Sequence, residues 1–160
     1  MQRLFTMKHI LLAIFTLAAT LLCSAPGARA QVGREKGDAF LIENGKNEGV
    51  RTLPSGLQYR VLKEGDGRHP KKSDQVVVHY KGTLIDGREF DSSHKRGEPM
   101  KFGVMQVIKG WSEALPLMKE GAKWMLYIPW QLAYGDKGSG KLIGPNETLI
   151  FEIELIAVMP

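Results

Sequence analysis

The chain has 160 residues, one cysteine, and 22 Lys and Arg against 17 Asp and Glu, a formal net charge of +5. A chain of this size makes one domain with its own core and needs no covalent staples, and one cysteine excludes an internal disulfide. Basic residues gather only as the pairs Lys71-Lys72 and Lys95-Arg96, so nucleic-acid binding has little support.

The first thirty residues read as an export signal. Arg3 and Lys8 give a positive start, and an apolar run follows from residue 10 to 22, broken only by Thr16 and Thr20. Its 13 residues are too few to span a bilayer, which takes about 20. Ala28-Arg29-Ala30 offers small residues at a signal-peptidase site, so the mature chain is expected to begin at Gln31 without membrane insertion. Removal takes three basic residues and no acidic one, leaving 19 against 17 and a net +2. Periplasmic or secreted placement follows. The alternative is a lipid anchor on Cys23, which closes the apolar run but is preceded by Leu22, where a lipobox needs a small residue.

Residues 31–52 are polar around Phe40, Leu41 and Ile42, with Asp38 placed to cap a short helix through about Asn47 and Gly49 to end it. Residues 53–56 form a Pro-Gly turn, and 57–62 alternate as a half-buried strand. After a polar loop, Val76, Val78 and Tyr80 share one strand face, and Asp86-Gly87 signals a two-residue hairpin returning along 88–90. Residues 91–98 read as a charged loop. Trp111, Ala114, Leu115 and Met118 form one face of a short helix, with Pro116 expected to bend it or delay its start. Residues 123–129 are an apolar strand, and 151–155 a final strand with one wet face. The sum is an α+β domain: a curved antiparallel sheet of about five strands wrapped over one short helix.

Several motifs lead nowhere. Gly135 to Lys141 spells most of a phosphate-binding loop, but Leu142 replaces the hydroxyl residue and Gly144-Pro145 forbids the helix it needs. His69, His79 and His94 lack zinc-site spacing. Gly103 to Gly110 has no nucleophile paired with a base, so a hydrolase is unsupported. Taken singly, an aromatic residue at an alternating strand position is core.

Five local strings, taken in order, say more: VVVHYKGTLIDG (76–87), REFDSS (88–93), QVIKGW (106–111), LAYG (132–135) and LIGPNETLIF (142–151). Together they resemble the FKBP-type peptidyl-prolyl cis-trans isomerases, closest to the exported single-domain bacterial branch that includes the macrophage infectivity potentiator proteins. The resemblance runs from about Leu53 to Val158 and implies an FKBP-like fold and acceleration of X–Pro rotation in exported proteins. It implies Trp111 as the floor under a proline ring, with Tyr80, Phe90, Val107, Ile108 and Phe151 as walls. It also implies Tyr134 and the Ile108 N–H as donors to substrate carbonyls, Asp91 at the rim bonded to Tyr80, and Ile143 as a loop contact. Met100 stands where many relatives carry a wall phenylalanine, and residues 137–141 hold no histidine where some relatives have one; both leave macrolide affinity open. The expected partners are proline-containing polypeptides and macrolide inhibitors, with no metal or cofactor. The N-terminal segment is shorter than relatives' dimerisation arms, so a monomer or weak dimer is expected. The same pocket also suits a non-catalytic chaperone for apolar, proline-containing segments.

Overall fold

Strand β3 (Gln75–Leu84) is the spine of the sheet. Val76, Val78, Tyr80, Gly82 and Leu84 are buried while their neighbours are half-buried or exposed, because successive side chains point to opposite faces. Strand β7 (Leu149–Met159) runs antiparallel beside it, from Leu84 opposite Leu149 to Gln75 opposite Met159, and buries Leu149, Phe151, Ile153 and Leu155. Beyond β7 lie β6 (Lys123–Ile128), β2 (Gln58–Lys63) and the edge strand β1 (Val50–Thr52). On the other side of β3, two short strands share one edge: β4 (Glu89–Ser92) pairs with residues 81–83 and β5 (Met100–Gly103) with 75–78. The computed structural model describes residues 26–160; the predicted apolar run and Cys23 lie outside the described residues.

The sheet has seven strands where about five were expected. Strands β1 and β5 are three and four residues long, too short for alternation to stand out from a turn. The hairpin also differs. Leu84 N–H donates to Arg88 O, Gly87 N–H donates to Leu84 O, and only Gly87 has positive φ, at 86°. Residues 85–87 therefore make a three-residue loop closed by a left-handed glycine, not the two-residue turn that needs positive φ twice.

The core-facing helix α3 (Lys109–Ala114) stops after six residues, and Leu115–Leu117 tightens into a 3-10 turn. Pro116 has no N–H to give the carbonyl four residues back, so the α-helical ladder ends there. The face nevertheless continues through the turn: Trp111, Ala114, Leu115 and Met118 are all buried against the concave side of the sheet.

Two other segments differ from expectation. The expected loop 91–98 instead completes β4 and turns once as α2 (Ser93–Arg96), which ends on Gly97 in the left-handed region. Ser93, fully buried, explains it: its Oγ accepts from Tyr80 N–H at 2.8 Å and donates to Tyr80 O at 3.2 Å, tying this turn to β3. The N-terminal helix α1 spans Pro26–Asn44, starting well before Asp38. Tertiary contacts lengthen it. Gly33 and Gly37 let its backbone lie on the 145–148 segment, where a Cβ at Gly33 would come 2.6 Å from Pro145 O. Arg34 sits over the Trp130 ring at 5.0 Å, Phe40 packs on Tyr127 at 6.0 Å, and the Gln58 side chain donates to Leu41 O and accepts from Asn44 Nδ2.

Candidate functional site

A hollow of about 720 Å³ opens between the end of β3, β4, the head of α3 and the loop from Tyr134 to Ile143. The indole of Trp111, buried to 4% exposure, forms its floor. Tyr80, Phe102 and Phe151 stand nearly perpendicular to that indole, at 83°, 88° and 82° with centroids 5.2–5.8 Å away. Edge-to-face packing suits aromatic quadrupoles and turns the rings into walls around a flat base. Phe90 closes one corner, edge-on to Phe151 at 5.4 Å. Val107 and Ile108 line the side where α3 begins, and Ile143 lines the loop side. The cage is tight because Gly82 lies beneath it: a Cβ there would stand 2.6 Å from Phe90 and 2.8 Å from Phe151 ring atoms.

Tyr80, Phe90, Asp91, Val107, Ile108, Trp111, Tyr134, Ile143 and Phe151, scattered over 72 positions of sequence, all line this one hollow. Met100 does not; Phe102, two residues on, does. Both sit on the core-side face of β5, opposite Val78 and Val76, but Phe102 is the one that reaches Tyr80 and Trp111. Phe102 and Gln106 were missed because they fall in a short strand and a turn with no alternation to single them out.

Hydrogen bonds link Tyr80, Asp91 and Arg96 into one set beside the hollow. Tyr80 Oη donates to Asp91 Oδ2 at 2.5 Å. Arg96, from α2, donates to both: Nη1 to Asp91 Oδ1 at 2.5 Å and Nη2 to Tyr80 Oη at 2.7 Å. Its guanidinium also lies 5.5 Å from the Tyr80 ring centroid. Sequence reasoning missed Arg96 because nothing in a charged run marks the member that folds back. Burial, then the bond to the Asp91 carboxylate, pushes the Tyr80 hydroxyl up to about 12. Burial works to raise Asp91, but the bonds from Tyr80 and Arg96 outweigh it and hold the carboxyl below its ordinary value. Across the hollow, burial and then the Asp91 charge raise the Tyr134 hydroxyl, which stays a protonated donor at neutral pH. Among the described residues, no oxygen of the chain accepts from Ile108 N–H, which precedes the first turn of α3.

Among the described residues, this arrangement has no hydrogen bond from Ser139 Oγ or Lys141 Nζ to an acidic or histidine side chain. Among the described residues, no group of three or more His, Cys, Asp or Glu side chains is placed to hold a metal. It can receive a compact apolar ring on the indole and offer donors to carbonyls on either side.

Known proteins share this architecture. The sequence model of a family described as "FKBP-type peptidyl-prolyl cis-trans isomerase" matches residues 66–156, and one described as "Domain amino terminal to FKBP-type peptidyl-prolyl isomerase" matches 11–61. The chain is 54% identical over 130 residues to the outer membrane protein MIP of Legionella longbeachae, covering 81% of this chain and 56% of that one. It thus spans a little over half the length of that curated relative. The crystal structure of FkpA from Escherichia coli superposes with a TM-score of 0.82 at 43% identity, over 96% of this chain and 72% of that one. A peptidyl-prolyl cis-trans isomerase from Pseudomonas syringae pv. tomato superposes at 0.77 and 40% identity, over 82% of this chain and 96% of that one. With the family's sequence, its fold and an aromatic hollow in one chain, this protein belongs to the FKBP-type peptidyl-prolyl cis-trans isomerases.

Proposed function

We propose that this chain accelerates cis/trans rotation about X–Pro bonds in exported polypeptides. The observation that carries the reading is the single hollow in which three rings stand edge-on around the Trp111 indole. Resonance gives the amide C–N bond its barrier of about 18–20 kcal/mol. As the bond twists, resonance is lost and the charge-separated character of the planar amide fades. A dry, apolar site disfavours the planar, more polar forms more than the twisted one, which is differential binding of the transition state. Here the proline ring rests on Trp111 between Tyr80, Phe90, Val107, Ile108 and Phe151. Tyr134 Oη and Ile108 N–H each hold a carbonyl flanking the bond, so the chain on one side is fixed while the other turns. Asp91, kept ionised by Arg96 and Tyr80, sets the orientation of the Tyr80 wall and faces the amide with negative charge. Macrolides that mimic the bound proline occupy the same hollow and quench Trp111.

The decisive assay couples a protease specific for the trans isomer to a short X–Pro peptide, using protein that starts at Gln31. Saturable acceleration above the solvent rate supports the reading; no acceleration ends it. The pH profile follows from the site. Asp91 is lowered, so its contribution to stability is present above the ordinary carboxylate pKa and is lost as pH falls through the lower folded value. Tyr80 is raised, so its contribution is present below pH 10.0 and is lost as pH rises through about 12. Neither titrates in between, and kcat/KM is expected to stay flat from about pH 5 to pH 9, where a catalytic histidine near pH 6.5 would impose a step. Gly82→Ala is expected to push Phe90 and Phe151 out of place, lowering kcat/KM by about 10-fold or more and stability by about 1–3 kcal/mol. Peptide kinetics and thermal unfolding of the one variant check both numbers.

The same proposal places the protein in the periplasm or outside the cell, with residues 1–30 as a signal, 31–52 as an N-terminal segment and 53–160 as the isomerase domain. The residue pattern before Gln31 supports this, as does the relative named an outer membrane protein. Among the described residues no helix is long and apolar enough to cross a membrane. A cut after Ala30 removes the carbonyl that accepts from Asn146 Nδ2 at 3.0 Å but leaves the Gly33, Arg34, Gly37 and Phe40 contacts intact. A helix so engaged with its own domain supports a monomer or weak dimer.

A further inference from the structure

A second hollow, of about 670 Å³, lies beside the first. Helix α1 forms one wall through Val32 and Lys36, the turn at residues 85–88 another, and the segment from Lys141 to Glu147 the base. Lys141 and Leu142 line both hollows, so the two are continuous over that short ridge. Three cations face two carboxylates around it, and Asp86 is already paired with Arg88 at 2.8 Å. Among the described residues, neither Lys36 nor Lys141 has a carboxylate within ion-pair distance, although Glu147 lines the same hollow. Arg29 adds a fourth cation, on the segment before the expected cut.

We propose that this hollow is an extended subsite for the substrate polypeptide, taking a stretch several residues from the proline and preferring acidic side chains there. The inference rests on the isomerase reading above and deepens it: the Trp111 hollow selects proline, and the second selects the surrounding chain. Continuity argues for the occupant. A chain leaving the first hollow over Leu142 enters the second directly, and an extended strand advances about 3.3 Å per residue, so a few residues cover the distance between neighbouring hollows. Charge argues for its chemistry, since two unpaired ammonium groups beside an extended backbone favour Asp or Glu. It also gives α1 a function in recognition, because the Gly33 and Gly37 contacts hold Lys36 over the 141–147 segment.

The test compares five X–Pro substrates with wild type, Lys36→Glu and Lys36→Arg. One is a tetrapeptide; the others are about twelve residues long, carrying either Glu or Lys at positions three to five residues from the proline, on each side in turn. Lys36 is exposed and touches none of the Trp111 hollow, so every variant is expected to turn over the tetrapeptide alike. Wild type is expected to favour the Glu-bearing peptide over the Lys-bearing one by about fivefold, through KM, as exposed charge pairs are worth about 1 kcal/mol. Lys36→Glu is expected to remove or invert that ratio, and Lys36→Arg to keep it. Equal ratios in wild type and Lys36→Glu, with the tetrapeptide still accelerated, overturn the subsite alone. Failure of wild type to accelerate the tetrapeptide overturns the isomerase reading itself, and the subsite with it.

Discussion

Trp111→Ala is expected to lower kcat/KM for a short X–Pro peptide by at least about 100-fold, equivalent to about 2.7 kcal/mol of lost transition-state stabilisation. The indole is both the floor of the hollow and the plane against which Tyr80, Phe102 and Phe151 pack edge-on. Its removal therefore takes away the surface under the proline ring and the reason the walls stand upright. Water then reaches the amide, and the preference for the twisted form over the planar ones is lost. The same truncation is expected to cost about 3–5 kcal/mol of stability, the usual range for a buried Trp. Against a typical domain stability of about 5–15 kcal/mol that loss is large, so the kinetics are run on a variant shown to be folded by circular dichroism at the assay temperature. Trp111→Phe separates the two effects: it restores a flat apolar floor, and its kcat/KM is expected within about 10-fold of wild type. Equal loss in Ala and Phe variants contradicts the floor and leaves Trp111 as packing. Suppression of client aggregation that persists in Trp111→Ala marks a separate chaperone activity.

Asp91→Leu is expected to have the second largest effect, about 30-fold in kcat/KM with a stability loss of only about 1–2 kcal/mol. The carboxylate accepts from Tyr80 Oη and from Arg96, and among the described residues no other acidic side chain bonds either of them. Leucine leaves the Tyr80 hydroxyl without its acceptor and the guanidinium without a counter-charge. The wall ring and its cation then lose their fixed position at the mouth of the hollow. Asp91→Asn distinguishes hydrogen bonding from charge. An amide oxygen still accepts from Tyr80 but does not neutralise Arg96, so an intermediate loss is expected. If Asn matches Leu, the charge carries the effect; if Asn matches wild type, the hydrogen bond does. The Tyr80 hydroxyl reports independently: without Asp91 its pKa is expected to fall from about 12 toward 10.0, measurable by ultraviolet titration.

Most residues of the hollow were legible only because five strings in order resemble the FKBP family; local patterns placed Tyr80, Trp111 and Phe151 on inward faces but, taken singly, only as core. Tyr80 lies in the middle of alternating strand β3, Trp111 heads a helical face, and Phe151 alternates with Leu149 and Ile153 in β7. Those patterns require each side chain to face the core whatever the rest of the chain does. The seven strands were undercounted for the converse reason: β1 and β5 exist only because longer strands offer them an edge. The length of α1 escaped capping signals because its first turns are held by Pro145, Asn146 and Trp130, more than ninety residues away in sequence.

By itself, then, the sequence put Tyr80, Trp111 and Phe151 on inward faces, and its resemblance to the FKBP family named most of the residues that line the hollow. The tertiary structure alone decided what tightens and guards it. Arg96 joins Tyr80 and Asp91 only when α2 folds onto β3 through Ser93, Phe102 rather than Met100 reaches the indole, and Gly82 leaves space for two rings. Each of these is a contact between elements distant along the chain. Local periodicity says which side of an element faces inward, but not which atoms of two inward faces meet.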